Sequence, residues 1–125
     1  MKKIIKTDKA PKAIGPYSQA VKCDSGLILT AMQIGLDPAG GELKGHDIES
    51  QTRQALENLK NILEAAGSGF ANVVKSTLYF ANLDDFARVN ELYSEYFSDN
   101  FPARAAVEVP RLPKGALIGI EMTAE

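Results

Sequence analysis

"DIESQTRQALENLKNILEAAGSGFANVVKSTLYF", residues 47 to 80, changes its period once, and that change decides the fold. From Asp47 onward Ile48, Thr52, Ala55, Leu56, Leu59, Ile62, Leu63 and Ala66 recur at helical spacing, and Gly67 offers a stop. The opposite face carries Glu49, Arg53, Glu57, Lys60 and Glu64, a solvated surface and nothing more. From Asn72 to Phe80 the pattern becomes alternating, β-branched and aromatic, which reads as a strand. A helix feeding directly into a strand makes this an α/β mixture.

Working outward, "YSQAVKC" (17–23) and "LILTAMQI" (27–34) flank the turn-like "DSG" and read as a β-hairpin. The Gly- and Pro-rich segment 35–46 that follows is a loop. Beyond Phe80, "NLDDF" opens a second helix with Asn82 or Asp84 as cap. Its buried stripe is expected to be Phe86, Val89, Leu92, Tyr93, Tyr96 and Phe97. Two last strands, near 104–109 and 116–124, are joined by "PRLPKG" as a hairpin. The order ββ, α, β, α, ββ predicts one α+β domain over residues 1–125, a four- to six-stranded sheet with two helices on one face. Alternation puts Arg104, Ala106 and Glu108 on one side of their strand, with Val107 and Val109 on the other. Ile118, Ile120 and Met122 likewise oppose Leu117, Gly119 and Glu121. Neither face is wholly polar, so the side without helices is expected to meet another copy of the chain.

Composition narrows the function. The 125 residues are 45% hydrophobic and 24% charged, with net charge −2, the balance of a globular domain. That charge argues against nucleic acid as a partner, because backbone phosphates call for a basic patch. The single cysteine, Cys23, cannot staple the fold and suits a reducing compartment. The N-terminal stretch lacks the apolar core of a secretory signal, and no stretch approaches the length of a membrane span, so a cytoplasmic location is expected.

Arg104 is the residue to explain. It lies in "FPARAAVEVPRLPKG" (101–115), a permanent charge among small apolar residues at the start of a strand. Two readings stand. The guanidinium pairs with Glu108, Glu121 or a helix carboxylate, or it is a planar fork held open for a ligand carboxylate. Tyr17, after the Gly15-Pro16 turn, is a core tyrosine by default. The only histidine, His46, has no partners at ligand spacing, so no metal is expected and no Ser/His/Asp triad is available. The glycines of "AGGELKG" match no phosphate loop, and no cofactor is expected.

The segments "APKAIGPYSQAV" (10–21), "QTRQALENLKNILEAAG" (51–67), "FARVNELYSEYF" (86–97) and "PARAAVEV…RLPKGALI" (102–118), with the pair Gln33-Ile34, together resemble the RidA family, also called YjgF, nearly end to end. The resemblance implies a chorismate-mutase-like α+β fold, a homotrimer with ligand clefts between subunits, and no membrane association. It implies hydrolysis of 2-imino acids such as 2-iminobutanoate and 2-iminopropanoate to 2-oxo acids and ammonia. Arg104 would then hold the substrate carboxylate, Tyr17 would line the same cleft and contact the acid or a water, and Asn90 would shape the site.

Departures from the family pattern fall around that site. Ala31-Met32-Gln33 stands where many members have Ser-Gly-Gln, so Met32 replaces a glycine whose N–H approaches the ligand. Ala106 stands for a usual cysteine, leaving its backbone to contribute. Gly119 stands for the glutamate thought to position the attacking water, and only Glu121 remains, on the same strand face one pleat on. A working, retuned deaminase is therefore the first expectation, with Arg104, Tyr17 and Glu121 as its catalytic residues and Met32, Asn90, Ala106 and Gly119 lining the substrate. A non-catalytic carboxylate-binding or regulatory protein comes second. A translation inhibitor or endoribonuclease, as some relatives are described, comes third, disfavoured by the acidic charge and the lone loop histidine.

Overall fold

The computed structural model describes all 125 residues. Six strands and two helices follow one another as β1 (Lys3–Ile5), β2 (Ala20–Lys22), β3 (Ile28–Thr30), α1 (Ile48–Ala65), β4 (Val73–Phe80), α2 (Phe86–Ser94), β5 (Ala103–Glu108) and β6 (Ile118–Ala124). They form one mixed sheet of order β1-β2-β3-β6-β4-β5. The α+β reading holds, at the upper end of the expected strand number.

Local chemistry sets the elements. Asp47 caps α1 by accepting the Ser50 N–H at 2.9 Å, and Gly67 ends it at φ +83°. Asn82, rather than Asp84, caps the short 3₁₀ turn Leu83–Asp85 that leads into α2, accepting from the Asp84 N–H. The β2–β3 hairpin closes through Gly26 at φ +94°, whose N–H donates to the Cys23 carbonyl.

The last two strands correct the sequence reading. They are not a hairpin: β5 pairs with β4 in parallel and forms the sheet edge, whereas β6 runs antiparallel between β3 and β4. Inserting the apolar β6 at the centre buries Ile118, Ile120, Met122 and Ala124 under the helices, which an edge position would not. The sequence pattern also gives no sign of β1. It is three residues long and exists through its pairing with β2.

The core lies between the sheet and the two helices. Leu56, Leu59, Ile62 and Leu63 of α1 meet Leu78 and Phe80 of β4 and Ile118 and Ile120 of β6. Each fully buried aliphatic side chain stabilises by roughly 1.5–3 kcal/mol, and truncating Phe80 to Ala costs about 3–5 kcal/mol. Three members of the expected α2 stripe depart from it. Tyr96 and Phe97 lie past the helix end, Phe97 still buried in the core, and Phe86 is 37% exposed, its ring turned toward the sheet edge. The other sheet face has no helix over it and presents Leu29, Thr77, Tyr79, Val107, Glu121 and Thr123. No helix is long and apolar enough to cross a membrane.

Candidate active site

β5 and α2 together place Arg104. In the parallel register Arg104 lies opposite the buried Ser76 of β4, so its side chain leaves the sheet on the helix side. There Phe86, Asn90 and Tyr93, spaced i, i+4 and i+7 along α2, make one stripe. The guanidinium carbon lies 5.3 Å from the Phe86 ring centre and 5.1 Å from the Tyr93 ring centre. Its Nη1 donates to Asn90 Oδ1 at 2.8 Å. Two aromatic faces and one amide thus fix the charge without neutralising it. The Tyr93 hydroxyl shares a 2.6 Å hydrogen bond with Ser76 Oγ, which anchors the ring. Burial pushes the Tyr93 pKa up, against the opposing pull of the Ser76 bond and the Arg104 charge.

No ion pair of the chain includes Arg104. Glu108, on the same strand face, accepts the Leu83 N–H instead. The internal ion-pair reading of Arg104 therefore fails. A hollow of about 430 Å³, lined by Asn90, Tyr93, Ser94, Phe101, Pro102 and Arg104, lies open beside it. Ala106 follows on the same strand face with its methyl against the core. Because Val109 N–H donates inward to Phe80, alternation turns the Ala106 N–H out from the sheet edge, free for a ligand.

Tyr17 and Met32 line a second hollow, of about 610 Å³, with Ile14, Ile34, Leu36 and Lys114 among the walls. Tyr17 is 52% exposed, so it is not the core tyrosine of the default reading. Met32 lies directly on Gly119: a Cβ built on that glycine would come 2.6 Å from Sδ and 3.1 Å from Cγ. Arg104 does not line this hollow, and Tyr17 does not line the first.

The model for the family described as endoribonuclease L-PSP, the YjgF/RidA family, matches residues 7–125. The chain belongs to the RidA family. It is 55% identical over 124 residues to a RutC family protein of Pyrococcus horikoshii, 99% of this chain and 98% of that one. It is 50% identical to the human 2-iminobutanoate/2-iminopropanoate deaminase, covering 99% of this chain and 90% of that protein. The crystal structure of Escherichia coli TdcF with bound serine superposes with a TM-score of 0.92 at 42% identity, covering 98% of this chain and 97% of that one. These likenesses bear out the RidA-type fold.

Within one RidA chain the expected site residues fall into three places. Arg104, Asn90 and Ala106 stand together at the β5 edge, and Tyr17, Met32 and Gly119 stand together around the second hollow. Glu121 joins neither. It projects from the helix-free face, the opposite side from Arg104, and its Oε1 accepts the Tyr79 hydroxyl at 2.9 Å. That bond, with burial and the carboxylate charge, raises the Tyr79 pKa. A catalytic role for Glu121 beside Arg104 therefore has no geometry behind it in a single chain. The sequence pattern assigns the aromatic platform of Phe86 and Tyr93 to the core. Its signal is the i, i+7 spacing with Asn90 between them, on the helix just before the arginine strand.

Proposed function

We propose that this RidA protein hydrolyses 2-imino acids, 2-iminobutanoate and 2-iminopropanoate among them, to 2-oxo acids and ammonia, in clefts between the subunits of a homotrimer. The observation that carries this reading is the Arg104 fork, held by Phe86, Tyr93 and Asn90 beside an open hollow with no protein carboxylate on it. A planar guanidinium grips a carboxylate through two parallel hydrogen bonds. Half identity to a named deaminase and a serine-bound relative support the same chemistry of small amino and imino acids. Two separate half-hollows per chain, and a helix-free face with Leu29 and Val107 about two-fifths exposed, favour completion of each site by a neighbouring copy.

In the reaction, water adds to C2 of the protonated imine and a proton passes from the added oxygen to nitrogen. The C–N bond then breaks as the hydroxyl on C2 gives up its proton and becomes a carbonyl, and ammonia leaves, taking up that proton as ammonium. Arg104 fixes the carboxylate and the Ala106 N–H adds a second donor at the same end. Tyr17 supplies a hydroxyl from the other half-hollow, able to hold the water. Placement of this kind raises rate by replacing a bimolecular encounter with an oriented one. The seat of Met32 on Gly119 favours a second reading, a carboxylate-binding protein without turnover, because a thioether there activates no water. The ribonuclease of the family's description finds less support: net charge is −2 and the only histidine, His46, is exposed in a loop.

Decay of freshly generated 2-iminobutanoate, followed with and without protein, tests the proposal. Acceleration over buffer that disappears in Arg104→Ala is the expected result. Binding of 2-oxobutanoate with no acceleration overturns it in favour of the second reading. Sedimentation at three times the 13.5 kDa chain mass is the expected assembly.

A further inference from the structure

Gly119 is on the helix-free face of β6 and yet is buried, and what lies over it is the flexible end of Met32. The thioether fills the space that any side chain at 119 would take, then continues into the wall of the 610 Å³ hollow. Around it that wall is apolar: Ile14, Ala31, Ile34 and Leu36, with the Tyr17 ring at one side. Methionine is polarisable, unbranched and able to mould itself to an apolar neighbour. Nothing acidic lines this hollow, and its cations Lys12 and Lys114 are both exposed.

We infer that Met32, seated on Gly119, determines side-chain specificity, selecting 2-imino acids with extended apolar side chains over the smallest one. This rests on the deaminase reading, with the carboxylate on Arg104 of one copy and the substrate side chain in the Tyr17–Met32 hollow of the next. Met32 acts by direct apolar contact, and Gly119 acts by leaving the thioether room to lie flat. The pair is one device. A Cβ at 119 must push Sδ outward, into the volume the substrate side chain needs.

The imines of leucine and alanine, 2-imino-4-methylpentanoate and 2-iminopropanoate, generated in place by an amino-acid oxidase, provide the test. The readout is the ratio of their kcat/KM values. Wild type favours the branched substrate. Gly119→Ala lowers the ratio roughly tenfold, the order expected for one or two displaced methyl-sized contacts. Met32→Gly lowers it as well, and adding Gly119→Ala to Met32→Gly changes it no further, because the pushed group is gone. Met32→Gln, of nearly the same shape but polar, also lowers the ratio and serves if Gly119→Ala does not fold. A ratio within twofold of wild type in every folded variant overturns the inference, as does an equal effect of Gly119→Ala with and without Met32. If wild type accelerates neither imine, the deaminase reading fails by itself. Calorimetric binding of 2-oxo-4-methylpentanoate and pyruvate then decides: the same preference, lost in Met32→Gln, upholds the pocket, and equal binding overturns it.

Discussion

Arg104 is bound to Asn90 by a 2.8 Å hydrogen bond between Nη1 and Oδ1, and Asn90 is a neutral acceptor. An amide in that place orients the guanidinium and leaves its charge intact. A carboxylate would consume it. Asn90→Asp tests the distinction. The new ion pair on this partly open surface changes stability by no more than about 1 kcal/mol. It competes with the substrate carboxylate, so KM rises roughly tenfold or more while kcat falls less. Steady-state kinetics beside a thermal melt read both. Equal falls in kcat and kcat/KM would show that Asn90 does more than position Arg104.

Lysine cannot replace Arg104 on this platform. An ammonium lacks the planar fork that grips a carboxylate at two points, and it stacks less well on Phe86 and Tyr93. A hydrogen bond to a charged group contributes roughly 1.5–3 kcal/mol. Arg104→Lys is therefore expected to lower kcat/KM by roughly 10- to 100-fold, and Arg104→Ala by more. Because no protein carboxylate depends on Arg104, both variants keep the wild-type melting temperature within a few degrees. Unfolding of Arg104→Ala would return the residue to a structural role.

The elements legible in the sequence are those whose own period is long enough to declare itself. α1 shows five turns of apolar spacing, and β4 alternates over eight residues. β1 is not legible, because Lys3–Ile5 carries too few residues to show any period and owes its state to β2. The β5–β6 hairpin is a misreading for a related reason. Two strands joined by a turn-rich "PRLPKG" are neighbours by local rules, whereas burying Ile118 and Ile120 requires β6 at the centre of the sheet. At the site, Arg104 is legible as an anomaly among small apolar residues. Its platform is not, since Phe86 and Tyr93 satisfy a core stripe equally well. The seat of Met32 on Gly119 joins positions on distant segments, which spacing alone does not bring together.

Tyr79 and Glu121 make the helix-free face sensitive to alkali. The hydrogen bond to Glu121, the largest cause, raises the Tyr79 pKa above its ordinary value of 10.0. A group raised in the folded state contributes stability that is full below the unfolded pKa and is lost as pH climbs through the folded one. Wild type should accordingly lose stability from about pH 10 upward more steeply than Tyr79→Phe, which has no proton to give up. Urea midpoints measured between neutral and strongly alkaline pH check this. Parallel curves for the two proteins would show that the bond contributes nothing.

Gly35 holds the wall of the second hollow at a fixed distance from α1. A Cβ there would meet the Gln51 carbonyl oxygen at 2.5 Å and Gln51 Cα at 2.7 Å, both backbone atoms that cannot swing aside. Gln51 is itself pinned, its amide donating to the Gly45 carbonyl and accepting the Leu117 N–H. Gly35→Ala must therefore move either the first turn of α1 or the loop segment carrying Ile34, and overpacking of this kind costs roughly 1–3 kcal/mol. At Gly40, in the same loop, an added methyl would meet nothing within 4 Å, so Gly40→Ala is the control. It should be neutral or gain up to about 1 kcal/mol by restricting the unfolded chain. Chemical denaturation of the two variants separates contact from chain entropy. If Gly35→Ala proves as stable as Gly40→Ala, the close approach of this loop to α1 is not what fixes the wall.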